Sequence, residues 1–166
     1  MRRIVVVLAA LVCGLAFAMP ASAQKPGAHI VGDLTITKSE AGLTVSGKGA
    51  GFGDFVTEAF LSADIVRATF ICVNPGGNIA PGQGVELVNV AGPTAEITPR
   101  AGRIEFNVML AAPPAPSAED VCPNPNWSVE LVPGTLEFCG VVLHFEQAGE
   151  EVLAVPITAP GECIDP

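Results

Sequence analysis

The chain has 166 residues, 49% of them hydrophobic, and 17 acidic against 8 basic side chains give a formal charge of −9. That length suffices for one domain with a real core. The acidic balance argues against nucleic acid and anionic membranes as partners, because such a surface repels phosphate rather than releasing its counterions.

The N-terminus reads Met1-Arg2-Arg3, then apolar from Ile4 to Ala18, then Met-Pro-Ala-Ser-Ala-Gln24. A short basic stretch, an apolar run and an Ala21-x-Ala23 site are the parts of a secretory signal peptide, so residues 1–23 are expected to be cleaved before Gln24. The run is short for a membrane span, which needs about 20 residues. Cys13 is no lipid-attachment site, since Leu11-Val12 rather than small residues precede it. The leader carries Arg2 and Arg3 and no acid, so the remaining domain, 24–166, has a formal charge of −11.

From His29 to Thr37, Ile30, Leu34 and Ile36 share one face of a predicted strand, and Asp33, Thr35 and Thr37 the other. Glu40 to Gly42 turns the chain into a second short strand around Leu43 and Val45. Gly47-Lys-Gly-Ala-Gly-Phe-Gly53 brushes against nucleotide-binding fingerprints, but no helix pattern follows to hold phosphate, so it reads as a loop between strands. Phe55 to Val73 is long for one strand, with a bend or bulge expected at Ser62-Ala63-Asp64. Asn74-Pro75-Gly76-Gly77-Asn78 then turns, with Pro75 and Gly76 suited to the middle of a type II turn.

Val85 to Val90 is a further strand and Thr94 to Thr98 a short edge segment. Arg103 to Leu110 has the cleanest alternation, with Ile104, Phe106, Val108 and Leu110 on one face. Ala111 to Asn126 is a Pro-rich loop that cannot enter a sheet interior. Trp127, Val129 and Leu131 alternate in the next strand, which favours a core position for Trp127 over a stacking platform for a sugar. Pro133-Gly134 turns, and Leu136–Glu146 and Val152–Ile157 form a hairpin across Gln147-Ala-Gly-Glu150. Eight or nine strands without a helix give an all-β chain, read as a single antiparallel β-sandwich, immunoglobulin-like in architecture.

Cys72, Cys122, Cys139 and Cys163 remain after the leader, an even number that suggests two disulfides in one of three pairings. No Cys-x-x-Cys is present, which argues against a zinc site or a redox pair. Cys139-x-x-x-x-His144 has a blue-copper spacing, with His29 and Gln147 as further candidates. Five residues apart in a continuous strand, however, Cys139 and His144 point to opposite faces. His144 is expected to share a face with Leu136, Phe138 and Val142 as a half-buried structural residue. No nucleophile elbow accompanies either histidine, no pair of carboxylates stands out for glycoside hydrolysis, and no calcium loop is present. Asn126-Trp127-Ser128 fits the N-glycosylation sequon. No cofactor, metal or catalytic residue is expected.

The order of these pieces resembles a group of uncharacterised small secreted actinobacterial proteins. The shared features are the Gly-rich turn Ala50-Gly-Phe-Gly53, the strand ending in Cys72-Val-Asn-Pro-Gly-Gly-Asn78, Pro81-Gly-Gln83, Cys122-Pro-Asn-Pro-Asn-Trp127 and a final hairpin, across roughly residues 42–158. Cys139 and Cys163 are not part of that pattern. With the local chemistry, the resemblance favours Cys72–Cys122 and Cys139–Cys163 as the disulfides. It implies export and architecture but no mechanism. The reading is a secreted, non-enzymatic binding or structural module for an extracellular protein or glycan, with Gly76, Gly77, Asn78, Asn124 and Asn126 as candidate binding-loop residues. The alternative is a small secreted enzyme or hydrolase-associated domain whose site is invisible in sequence, and a copper or calcium protein ranks third.

Overall fold

The computed structural model describes residues 27–164, so the expected leader and its cleavage site lie outside the described residues. The order is β1 (His29–Ser39), β2 (Gly42–Ala50), β3 (Thr57–Val73), β4 (Ile79–Ala91), β5 (Ala95–Ile97), β6 (Arg103–Ala111), α1 (Ala118–Val121), β7 (Ser128–Leu131), β8 (Glu137–Cys139), β9 (Val142–Gln147), β10 (Glu150–Pro156) and β11 (Cys163–Ile164). All pairings between strands are antiparallel. The short helix was not expected. Ser117 caps it by accepting from the Glu119 N–H, within the loop that the prolines keep out of the sheets.

Strands β1, β2 and β6 form one sheet, and a larger sheet runs β10-β9-β3-β8-β11, with β4, β5 and β7 also paired to β3. Their apolar faces meet in one core. Leu43, Val45, Phe106 and Leu110 come from the small sheet, and Leu61, Val66, Phe138, Leu143 and Phe145 from the large one. Phe145 joins the layers, with ring centroids 5.1 Å from Phe106 and 5.2 Å from Phe52. Lys38 ties their edges together by donating to the carbonyls of Leu136 and Ile164.

The large sheet is not a flat layer but curls into a half-barrel, and the curl has a local cause. Along β3 both Ala63 and Val66 are buried, so strict alternation fails once between them. In register with Asp64 stand Asn89 of β4 and Gly140 between β8 and β9, with φ of 51° and 61°. Three neighbouring strands therefore change phase on one transverse line, which bends the sheet as an aligned row of bulges does. A Cβ on Gly140 would sit 2.0 Å from Asp64 Oδ2, so the side chain crossing this line needs a glycine beneath it.

The break at Gly140 corrects the expected continuous strand from Leu136 to Glu146. Phe138 and Leu143 both face the core, so His144 lies on the outer face with Val142 and not with Leu136 and Phe138. The expected loop at Gly47–Gly53 also begins later, because β2 continues through Ala50. Glycine is needed there for packing: a Cβ on Gly49 would come within 2.6 Å of the Phe52 ring, and one on Gly47 within 2.8 Å of Leu34. In the turn after β3 the left-handed residue is Gly77, φ 79°, and not Gly76, so Pro75-Gly76 is not the centre of a type II turn. The final hairpin forms, but with a tighter turn than the expected Gln147–Glu150 connection: Gln147 and Glu150 pair, and Ala148 and Gly149 both have positive φ, which suits a two-residue loop between twisted strands.

Two polar residues, Thr57 and Gln147, are buried with this core and bonded to one another. Gln147 is 7% exposed, and its Nε2 donates to the Phe52 carbonyl at 2.7 Å and to Thr57 Oγ1 at 2.8 Å. Gln147→Leu strips these two acceptors and the Phe55 carbonyl, 3.3 Å away, of this donor without removing much volume. The expected loss is about 1–3 kcal/mol, read as a lower urea midpoint with an unchanged slope.

Candidate functional site

Both disulfides favoured by the resemblance are present, Cys72–Cys122 and Cys139–Cys163. The second joins directly opposed residues of β8 and β11. The first ties the end of β3 to the residue capping α1, with Cα atoms 5.7 Å apart. It brings two loops to the same end of the large sheet, because Val73 pairs with both Ile79 and Ser128.

Each loop is organised by an asparagine side chain. Asn74 Oδ1 accepts from the N–H groups of Gly76 and Asn78, at 2.9 and 2.8 Å, while the Gly77 N–H donates to the Asn74 carbonyl. Asn124 Oδ1 accepts from the Asn126 N–H at 2.9 Å, and the Trp127 N–H donates to the Asn124 carbonyl. Such turns pre-order the backbone without drawing on the core. Of the expected binding residues, Gly76, Gly77, Asn78, Asn124 and Asn126 are all exposed and gather at this end. Ile79, 66% exposed, adds an apolar surface beside them.

Trp127 departs from the expectation of a core position. It is half-buried and stands outside the core cluster, while Val129 and Leu131 from the same alternation pack against the core. The reason is positional: β7 begins at Ser128, so Trp127 belongs to the loop and the strand's inward face does not extend to it.

The copper set does not assemble. Cys139 is spent in its disulfide, the Gln147 amide is bonded in the core, and His29 Nδ1 meets the Gly27 carbonyl at 2.6 Å. Parity does not separate Cys139 from His144, since Gly140 interrupts it; the disulfide is what removes the sulfur as a ligand. Glu137 approaches the same two sulfurs, but a disulfide offers no thiolate to a metal.

One constellation escaped the sequence reading. On the outer face of the large sheet, Ser62 Oγ lies 2.8 Å from His144 Nε2, and His144 Nδ1 lies 2.9 Å from Glu151 Oε1. Phe60, opposite His144 in register, stacks on the imidazole with centroids 4.8 Å apart and planes 13° apart. The predicted hairpin held His144 but began its second strand at Val152, so it did not include Glu151; the observed strand begins at Glu150 and carries Glu151 beside β9. A register shift between Glu151 and Leu153 brings Val152 into the core and leaves Glu151 on the His144 side. Ser62 was not reachable, because nothing local states that β3 lies beside β9.

Among the described residues no helix is long and apolar enough to cross a membrane. No family model, no curated protein and no solved structure matches the chain.

Proposed function

We propose that the chain is a secreted extracellular binding module that engages a glycan or protein through the end of the large sheet formed by Asn74–Asn78 and Cys122–Trp127. The observation that carries this reading is the pair of exposed loops, locked side by side by Cys72–Cys122 and held rigid by their own asparagine turns, with a half-exposed indole between strand and loop. Pre-ordered loops lose little entropy on binding. Exposed amides offer donors and acceptors to hydroxyls, and an indole offers an apolar plane. Neither histidine lies in these loops, which favours recognition over acid–base chemistry at this end. Two disulfides suit an oxidising compartment, as do the signal-like leader and the resemblance to small secreted actinobacterial proteins. We read the two facing sheets as a sandwich in layering, immunoglobulin-like in that sense alone.

Trp127 is the single tryptophan, so intrinsic fluorescence reports on this site. Titration with soluble cell-wall polysaccharide fragments is expected to give a saturable change in its emission. Trp127→Ala is expected to weaken retention on the matching affinity gel roughly tenfold or more, as loss of an aromatic anchor does. Equal retention of wild type and Trp127→Ala, or no retention of either on glycan or cell-surface protein, would overturn the reading.

A further inference from the structure

The geometry points to a second, separate site: Ser62 is a nucleophile activated by His144 and Glu151, able to take up acyl groups from neutral or cationic activated esters. The hydrogen bonds assign the roles. A carboxylate only accepts, so His144 Nδ1 carries the proton donated to Glu151, and when the ring carries that proton alone Nε2 accepts from the Ser62 hydroxyl. This is the connectivity of a Ser–His–acid triad, in which the acid fixes tautomer and orientation and stabilises the imidazolium as it forms. The ring is further held by Phe60 on one face. His144 and Glu151 are 21% and 31% exposed, so the relay is partly shielded yet still open to a small molecule. Beside Ser62 on the neighbouring strands stand Val142 and the small, exposed Ala91.

The surroundings define the substrate class. Glu58 and Glu146 oppose one another in register two residues along from Phe60 and His144, with Glu96 next to Glu58 and Glu151 next to Glu146. That row of carboxylates disfavours anionic acyl donors. Ser62 sits in mid-strand, paired on one side with Ala91 and on the other with Val142, so its backbone is committed to the sheet and supplies no oxyanion hole. Losing one such donor costs about 100- to 1,000-fold in other serine enzymes. The site is therefore suited to esters with a good leaving group, such as a phenol, and not to amides.

In the first step the Ser62 Oγ–carbon bond forms as the hydroxyl proton passes to His144 Nε2 and the carbonyl electron pair moves to oxygen. Collapse of that intermediate breaks the bond to the leaving phenolate, which takes the proton from His144. Water then attacks the acyl-serine through the same relay, releasing the carboxylic acid and restoring the hydroxyl.

The test uses the full chain with p-nitrophenyl acetate. Peptide mass spectrometry after a short incubation is expected to find acetyl on Ser62, and phenolate release is expected to exceed the rate with an equal concentration of free imidazole. Ser62→Ala removes the adduct and returns release to that background. The isosteric Glu151→Gln lowers adduct formation roughly tenfold or more while thermal unfolding stays cooperative. No acetyl on Ser62 in the wild-type chain, or release by Ser62→Ala equal to wild type, would overturn the assignment. Because these readouts do not involve Trp127, they stand or fall apart from the binding reading.

Discussion

Phe145→Ala is expected to be the most damaging single change in the core, costing about 3–5 kcal/mol. The ring is completely buried and meets Phe52 on one side and Phe106 on the other. Phe106 belongs to the small sheet, Phe145 to the large one, and Phe52 to the loop linking β2 to β3. Truncation therefore opens a void where three parts of the chain meet, and rigid strands on either side cannot collapse into it. Aromatic pairs contribute about 0.5–1.5 kcal/mol each beyond the area they bury, and both are lost together. Against a total stability of about 5–15 kcal/mol for an ordinary domain, the loss leaves little reserve. Urea unfolding followed by far-UV circular dichroism measures it. A loss below about 1 kcal/mol would mean that the two sheets are not held together through this ring.

Removing the Cys72–Cys122 bridge by the double substitution Cys72→Ala, Cys122→Ala is expected to destabilise the domain by about 4 kcal/mol on chain-entropy grounds. The bridge closes a loop with a sequence separation of 50, against 24 for Cys139–Cys163, so the same change at the second pair is expected to cost less. The two bridges differ more in what they hold. Cys139–Cys163 anchors the C-terminal strand β11 to β8. Cys72–Cys122 holds the α1 loop against the end of β3, and with it the position of Asn124 and Trp127. The double variant is therefore expected to show both a lower unfolding midpoint and a changed Trp127 emission in the native state. Loss of stability without any change at Trp127 would separate the bridge from the loop end and weaken the binding proposal with it.

The alternating strands were readable because each buries one face, and a two-residue period survives in sequence whatever the partner is. Ile104, Phe106, Val108 and Leu110 are the plainest instance, and all four are buried. The final hairpin was readable from two alternating runs flanking Gly149, although Ala148, with φ of 53°, is not a residue that such a turn selects. Trp127 was misplaced because alternation says which face a residue would take and not where the strand begins. The glycines at 47 and 49 read as a loop in sequence because glycine as a turn-former and glycine beneath a packed side chain look alike until that side chain is in place. Sequence alternation groups His144 with Leu136 and Phe138 for a related reason: a single left-handed residue, Gly140, inverts the face of everything after it.

The chain by itself therefore determined that the fold is all-β and antiparallel, roughly where its strands run, and, with the help of a resemblance, which cysteines pair. These rest on local periodicity, turn chemistry and motif. The tertiary structure alone decided the curl of the large sheet, since that needs Asn89, Asp64 and Gly140 aligned across three strands. It also decided the meeting of Ser62, His144 and Glu151. Ser62 and His144 are 82 residues apart, and only the long-range pairing of β3 with β9 places them within a hydrogen bond.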